Sequence, residues 1–170
     1  LQGDFLMFAG GSGITPVFSI LRAVLAGGRG PVRLIYANRD ERSVIFADAL
    51  RGLAAAHPAR LQVIHWLDSV QGTPGVAQLA EFGRGFEEAQ AFICGPGPFM
   101  DATATALLQA GLAEERVHVE RFVSLPDEEA AAPAVPRAVA GGADAEVLLL
   151  LDGAEHRFRC SAGETLLEAA

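Results

Sequence analysis

Two glycine-rich loops, each following a short apolar run, are the segments of this sequence best suited to bind an anionic ligand. The first loop, residues 10–16 (Gly-Gly-Ser-Gly-Ile-Thr-Pro), follows the apolar residues 5–9, and the second, residues 94–100 (Cys-Gly-Pro-Gly-Pro-Phe-Met), follows residues 91–93. A glycine-rich loop that leaves a buried strand and enters a helix brings backbone N–H groups close to an anion. Two such loops about eighty residues apart indicate one crevice lined from both sides.

The first loop differs from the two common glycine motifs. Pro16 stands where the dinucleotide motif G-x-G-x-x-G needs glycine, and Ile14 stands where the nucleophile motif G-x-S-x-G needs its second glycine. Pro16 is typical of the first turn of a helix, and Ser12 and Thr15 supply hydroxyl groups. The residues of this loop alone leave two alternatives open, a pyrophosphate site and a tight turn without a ligand.

Five short apolar runs predict the strands that position these loops. They are residues 5–9, 32–37, 61–66, 91–94 and 117–119, with helical patterns at 17–25, 44–56, 75–82 and 99–110. Such alternation is typical of an α/β fold with a doubly wound, five-stranded parallel sheet. If the strand order is 3-2-1-4-5, both glycine loops face the switch point of the sheet, where ligands bind. Asp68, directly after the third run, is either a loop cap or a cofactor contact.

Composition disfavours several classes of function. The 170-residue chain has a net charge of −8, whereas nucleic-acid binding needs a basic surface. It contains no lysine, which excludes a Walker A lysine and a Schiff-base lysine in this chain. The two cysteines lie far apart, the four histidines share no ligand spacing, and no apolar run is long enough to span a membrane. We therefore expect a cytoplasmic protein without a metal site in this chain, and without nucleic-acid or membrane partners.

Three segments of different character follow one another along the chain. Residues 1–123 carry the predicted α/β domain, and residues 124–144, rich in Ala, Pro and acidic residues, indicate a linker. Residues 145–170 begin with a β-hairpin pattern around Asp152-Gly153 and end in a helical pattern from 165. This last segment indicates the opening of a small α+β domain. Because the chain begins without Met and ends within a helical pattern, we expect it to be part of a longer protein.

Four motifs, in order along the chain, carry a resemblance to a known family. They are residues 9–16, Asn38-Arg39 after the second strand, residues 94–98, and Glu120-Arg121-Phe122 after the fifth. With these motifs, residues 1–123 resemble the pyridine-nucleotide domain of the ferredoxin–NADP reductase superfamily. They are similar in particular to oxygenase reductase components with a C-terminal plant-type ferredoxin domain, such as the 3-ketosteroid 9α-hydroxylase and phenylacetyl-CoA epoxidase reductases. Residues 145–170 resemble more weakly the start of that β-grasp, 2Fe-2S ferredoxin domain, without a cluster ligand.

The resemblance implies a role for each matched position. The pyrophosphate- and nicotinamide-binding residues would be Gly10, Gly11, Ser12, Gly13, Thr15 and Pro16 in the first loop, and Cys94, Gly95, Pro96, Phe99 and Met100 in the second. Asn38, Arg39 and Ser43 would lie at the adenosine ribose or its 2′-phosphate. The catalytic positions would be Thr15, Cys94, Glu120 and Phe122, with Phe122 stacked on the flavin ring. Arg39 suits a 2′-phosphate and its neighbour Asp40 a free ribose, so NADH and NADPH stay open, with a slight preference for NADH.

The resemblance also implies an FAD-dependent oxidoreductase. Electrons would pass from NAD(P)H through FAD and a 2Fe-2S cluster to a terminal oxygenase. The partners would be the FAD domain and the ferredoxin domain of the full-length protein and the oxygenase component, and this chain alone would be inactive. Two alternatives stay open, a non-catalytic nucleotide-binding module and a flavodoxin-like FMN domain. The first leaves Glu120-Arg121-Phe122 unexplained, and the second is disfavoured because flavodoxin phosphate loops are rich in Ser and Thr.

Overall fold

A computed structural model describes residues 3–121, 145–151 and 154–161 of the chain. The chain divides into two compact units, Leu1–Val123 and Ser124–Ala170. The predicted linker at 124–144 and the helical pattern at 165–170 lie outside the described residues. The assignment of the second unit to a ferredoxin-type domain stays a prediction.

The first unit is built on a five-stranded parallel sheet in the order β3-β2-β1-β4-β5. Its strands are β1 (Phe5–Gly10), β2 (Val32–Asn38), β3 (Leu61–Leu67), β4 (Gln90–Cys94) and β5 (Val117–Glu120). Its helices are α1 (Ile14–Gly27), α2 (Ala47–Ala56), α3 (Asp68–Gln71), α4 (Val76–Gly83) and α5 (Gly97–Gln109), and 3-10 turns span Gly11–Gly13, Glu41–Ser43 and Glu114–Arg116. The predicted fold and strand order are confirmed.

Alternation along the central strand divides the apolar core into two layers. Successive side chains of a strand point to opposite faces of the sheet, so Met7 packs with Leu21 of α1 and Leu50 of α2. Phe8, the next residue, packs on the other face with residues of α4 and α5, such as Leu107. All six residues of β1 are buried, as expected of a parallel strand covered on both faces.

The helices differ from the sequence prediction in several boundaries, and one short helix is not predicted. Helix α1 begins at Ile14 rather than at residue 17, because Pro16 is tolerated within the first helical turn. Helix α2 begins at Ala47 rather than at residue 44, because Phe46 has a left-handed backbone (φ 59°) that a helix cannot contain. Helix α3 has four residues, too few to show a helical period in the sequence.

The second unit contains the predicted hairpin. Strands β6 (Ala145–Leu151) and β7 (Ala154–Cys160) are antiparallel, with Ala145 opposite Cys160 and Leu151 opposite Ala154. The Asp152-Gly153 turn lies outside the described residues. Among the helices that the structure describes, none has the length and apolar character needed to cross a membrane.

Candidate functional site

The two glycine loops touch each other at the carboxyl ends of β1 and β4. These strands are neighbours, with Ala9 opposite Cys94. A Cβ atom on Gly13 would overlap the Cys94 carbonyl and lie 2.6 Å from the backbone nitrogen of Gly95. A Cβ atom on Gly10 would lie 2.8 Å from Cδ of Pro96. Glycine is therefore required at positions 10 and 13 for the packing of one loop on the other, a role that the sequence does not reveal.

A cavity of about 500 Å³ opens beside this contact, and we call it the loop cavity. Eight of the predicted binding residues line it, namely Gly10, Gly11, Ser12, Asn38, Arg39, Ser43, Pro96 and Phe99. Ile45 and Thr73 line it as well, although no sequence motif marks them. The loop cavity therefore brings together the first loop, the second loop and the segment after β2, as strand order 3-2-1-4-5 requires.

Asn38 has an unusual environment within the described residues. It is 5% exposed, it lines the loop cavity, and neither its Oδ1 nor its Nδ2 atom forms a hydrogen bond of normal geometry. The Tyr36 hydroxyl lies close enough for the Asn38 side chain to lower the pKa of Tyr36, but no well-formed hydrogen bond joins the two. No other buried side-chain nitrogen or oxygen in the described part of the chain lacks a partner. Leaving such a group unpaired costs about 1–3 kcal/mol. An amide left in this state beside a cavity is suited to bind a ligand.

The charged residues after β2 and β3 are arranged differently from the arrangement that the sequence predicts. Asp40 is not among the residues that line the loop cavity, and its Oδ1 accepts the Ser43 backbone N–H (2.9 Å) and hydroxyl (2.8 Å). These bonds hold the pKa of Asp40 below its usual value. Arg39 lines the loop cavity together with Asp68, and the Ser69 N–H donates to the Arg39 carbonyl (2.9 Å). The carboxylate that lines the loop cavity with Arg39 is therefore that of Asp68, not that of Asp40.

A second cavity, of about 310 Å³, lies along β4 and β5, and we call it the thiol cavity. Cys94 and Glu120 line it, and its other walls include Val17, Ile20 and Phe92. The Phe92 ring stacks on the His118 ring with centroids 4.9 Å apart. This mostly apolar enclosure with flat aromatic walls suits a planar ring.

Cys94 is poorly suited to act as a nucleophile in this cavity. Its side chain is 1% exposed, and burial, followed by the charge of Glu120, raises the pKa of the thiol. The thiolate is the reactive form of cysteine, so a raised pKa keeps the group neutral near pH 7. The thiol can line a binding site for a ring, whereas attack on a substrate would require ionisation.

Several predicted site residues lie elsewhere. Thr15 is exposed and lines a third cavity, of about 400 Å³, with Phe18, Ser19 and Arg22 on the outer side of α1. Met100 is 3% exposed and belongs to the apolar core: one residue after Phe99, it lies about 100° further round helix α5 and faces the sheet. In this structure Met100 contributes to the core, and its predicted contact with a cofactor stays a prediction.

Three further predicted residues lie at the edge of the site or outside the described chain. Pro16 is partly exposed in the first turn of α1. A Cβ atom on Gly95 would lie 3.0 Å from the Gly10 Cα, so Gly95 packs closely on the first loop. Phe122, predicted to stack on the flavin, lies outside the described residues.

Tyr36 is a residue of this site that the sequence marks only as part of the second apolar run, residues 32–37. It lies on β2, two residues before Asn38 and therefore on the same face of the sheet. Its hydroxyl donates to the Gly11 carbonyl (3.1 Å) and accepts the Ile45 N–H (3.2 Å). Position on the same face as Asn38 is the only sequence signal that links Tyr36 to the loop cavity.

Comparison with known proteins identifies one matching family and two similar proteins. Residues 7–105 match the family described as oxidoreductase NAD-binding domain. The chain is 48% identical over 171 residues to the 3-ketosteroid-9-alpha-monooxygenase, ferredoxin reductase component, of Mycolicibacterium smegmatis, a match covering 99% of this chain and 48% of that protein. It is 37% identical over 135 residues to a component of the 1,2-phenylacetyl-CoA epoxidase of Escherichia coli, covering 71% of this chain and 37% of that protein.

A solved structure shares the architecture. The cytochrome b5 reductase domain of Ulva prolifera nitrate reductase aligns with a TM-score of 0.61 and 25% identity, over 69% of this chain and 48% of that one. The chain spans about half the length of the 3-ketosteroid relative that it matches.

Proposed function

The chain belongs to the oxidoreductase NAD-binding domain family, and on that basis we propose that it is the NAD(P)H-binding module of a flavin-dependent reductase that supplies an oxygenase. Its relatives are named as reductase or epoxidase components of oxygenase systems. Electrons would pass from NAD(P)H through FAD and a 2Fe-2S cluster to the oxygenase component. Because the chain spans about half the length of the relative, we assign FAD and the cluster to the full-length protein.

The observation that carries this proposal is the buried, unpartnered amide of Asn38 beside the first glycine loop. The first N–H groups of a helix have no partners within it and favour an anion. In the loop cavity, such groups between Gly11 and Gly13 would face the pyrophosphate. The Asn38 amide and the Arg39 guanidinium would then contact the adenosine half of the nucleotide.

The nicotinamide ring would lie against the thiol cavity, which Cys94 and Glu120 line. Apolar walls and a neutral thiol can hold a planar ring in one orientation and exclude water, which is the contribution that a protein makes to hydride transfer. FAD, when bound, supplies the hydride acceptor. The roles of Thr15, Glu120 and Phe122 in that transfer stay predictions from the resemblance.

Binding of the nucleotide can be tested on this chain by NMR. We expect saturable shifts in the backbone amides of Gly11 and Ser12 and in the side-chain amide of Asn38 when NADH is added to the 15N-labelled chain. The amides of β6 and β7 serve as an internal control, because they belong to the other unit. Absence of shifts at millimolar NADH and millimolar NADPH would overturn the proposal and favour a module that only packs against partners.

We further propose NADH as the preferred nucleotide. The carboxylate of Asp68, directly after β3, lines the loop cavity, and a carboxylate beside the adenosine ribose would accept its hydroxyls and repel a 2′-phosphate. Turnover of the full-length protein with ferricyanide as acceptor should therefore be faster with NADH than with NADPH. Faster turnover with NADPH would show that Arg39, which lines the same cavity, determines the preference instead.

A further inference from the structure

We propose that Tyr36 is a positioning residue of the nucleotide site, whose hydroxyl holds the first glycine loop and the segment after β2 at a fixed distance. This inference rests on the proposed nucleotide binding. The Tyr36 hydroxyl donates to the Gly11 carbonyl (3.1 Å) and accepts the Ile45 N–H (3.2 Å). Gly11 and Ile45 both line the loop cavity. One hydroxyl therefore connects two walls of the cavity that are distant in the sequence.

The hydroxyl of Tyr36 is not needed for packing. The side chain is 0% exposed and lies in the apolar cluster under α1 and α2, where a phenylalanine ring would fill almost the same volume. Burying a hydroxyl carries a cost unless it is hydrogen-bonded, and here it acts once as donor and once as acceptor. Burial raises the pKa of Tyr36 more than its interactions with the Ile45 N–H and the Asn38 side chain lower it, so the hydroxyl keeps the proton that it donates to Gly11.

Each of the two segments that the hydroxyl joins contains a left-handed backbone conformation. At Gly11 (φ +52°) this conformation costs little, because glycine has no Cβ. Phe46, directly after Ile45, has φ 59°, a conformation that costs a non-glycine residue about 1–2 kcal/mol and persists only where the surroundings hold it.

Contacts on both sides of the Ile45-Phe46 peptide hold the segment after β2 in this conformation. The Phe46 ring stacks on Phe18 of α1, with centroids 4.9 Å apart, and the Ile45 N–H is bonded to Tyr36. Only the second contact leads to the first glycine loop. Removing the hydroxyl would therefore loosen the position of one wall relative to the other.

The expected consequence depends on how much of the cavity a ligand spans. A dinucleotide would contact both walls. Any mobility of one wall relative to the other would have to be lost on binding, and this loss of entropy would lower the affinity. We expect Tyr36→Phe to raise the Kd for NADH about tenfold, which corresponds to about 1.4 kcal/mol. Reduced nicotinamide mononucleotide lacks the adenosine half, and its Kd should change less than about twofold because no second wall is engaged.

The test compares the wild-type chain with Tyr36→Phe and a matched control, Arg60→Met, by calorimetric titration with both ligands. Arg60 also donates side-chain hydrogen bonds to backbone carbonyls, those of Leu25 (3.1 Å) and Gly30 (3.3 Å). It precedes β3 and lies at the end of the sheet opposite the loop cavity. Arg60→Met should leave the Kd for NADH unchanged.

Two results would overturn the inference. One is an unchanged Kd for NADH in Tyr36→Phe, and the other is an equal loss of affinity for NADH and for the mononucleotide. If the wild-type chain binds neither ligand, the proposed function itself fails, and the inference fails with it.

A measurement without ligand tests the same contact separately. Hydrogen exchange of the Ile45 amide should be at least about tenfold faster in Tyr36→Phe, because its acceptor is removed. The Leu50 amide, which donates to the Phe46 carbonyl (2.9 Å), should keep its rate. Equal acceleration at both amides would indicate general loosening of the fold and contradict a positioning role.

Discussion

The loop cavity and the thiol cavity share the second glycine loop but differ in chemistry. The loop cavity offers backbone N–H groups, the Asn38 amide and the side chains of Arg39 and Asp68. The thiol cavity offers apolar walls, a neutral thiol and one carboxylate. A dinucleotide has the same division, since its pyrophosphate and ribose are polar and its nicotinamide ring is planar. The contact between the loops thus separates a polar subsite from an apolar one.

The largest expected effect comes from breaking the contact on which both cavities depend. Gly13→Ala would place a Cβ against the Cys94 carbonyl and 2.6 Å from the Gly95 nitrogen. We expect the free energy of unfolding to fall by about 3 kcal/mol, since overpacking against fixed backbone is poorly relieved. Urea unfolding followed by fluorescence of the chain's one tryptophan, Trp66 in β3 of the first unit, measures this loss.

Gly52→Ala is the matched control for that substitution. Gly52 lies in α2 with no atom within 4 Å of the position of a Cβ, so alanine should stabilise the chain by up to about 1 kcal/mol. Equal stability of the two variants would show that the loops do not pack as described, and the separation of the two cavities would lose its basis.

The polar character of the loop cavity can be removed at Asn38 without loss of stability. Asn38→Leu replaces an unpaired buried amide with an apolar side chain of similar size, so the free energy of unfolding should stay equal or rise by about 1 kcal/mol. The Kd for NADH should nevertheless rise about twentyfold, or about 1.8 kcal/mol. Urea unfolding and titration with NADH measure the two effects separately.

Thr103→Val supplies the contrasting case. Thr103 is also buried, but its hydroxyl donates to the Phe99 carbonyl at 2.7 Å, so its removal should cost about 1 kcal/mol. If Asn38→Leu destabilises the chain as much as Thr103→Val does, the Asn38 amide has a partner in the free protein and the argument from an unpaired group is wrong.

The sequence predicts the sheet far better than it predicts the polar contacts of the site. Parallel strands covered on both faces form continuous apolar runs, so all five strands and the residues at their carboxyl ends could be identified. The partner of a hydroxyl or a carboxylate depends on tertiary packing, which leaves no period in the sequence. For this reason the cap formed by Asp40 and the bonds of Tyr36 appear only in the structure. Met100 lies in the core rather than at the site because a motif does not show which side of a helix a residue occupies.

Within the loop cavity, Arg39 is the residue that we expect to distinguish the two nucleotides. Arg39→Ala should weaken NADPH binding about tenfold relative to NADH, because only NADPH carries the 2′-phosphate that a guanidinium can pair with. Arg42→Ala is the control, since Arg42 is an exposed arginine of the same segment that does not line the loop cavity. Titration of both variants with both nucleotides measures the ratio, and equal losses for NADH and NADPH in Arg39→Ala would refute the role.

The smallest expected effect concerns the apolar subsite. Burial and the Glu120 charge raise the pKa of the Cys94 thiol. The neutral thiol therefore contributes fully to the free energy of unfolding below the ordinary thiol pKa of about 8.5, and this contribution is lost as the pH rises through the raised pKa. Glu120→Gln removes the charge and should speed alkylation of Cys94 by iodoacetamide about twofold at pH near 8.5, because more thiolate is present. Mass spectrometry of digested samples measures the rate, with Cys160 in the same chain as reference. An unchanged rate would mean that burial alone keeps the thiol neutral, and the thiol cavity would then differ from the loop cavity in its apolar walls rather than in its charge.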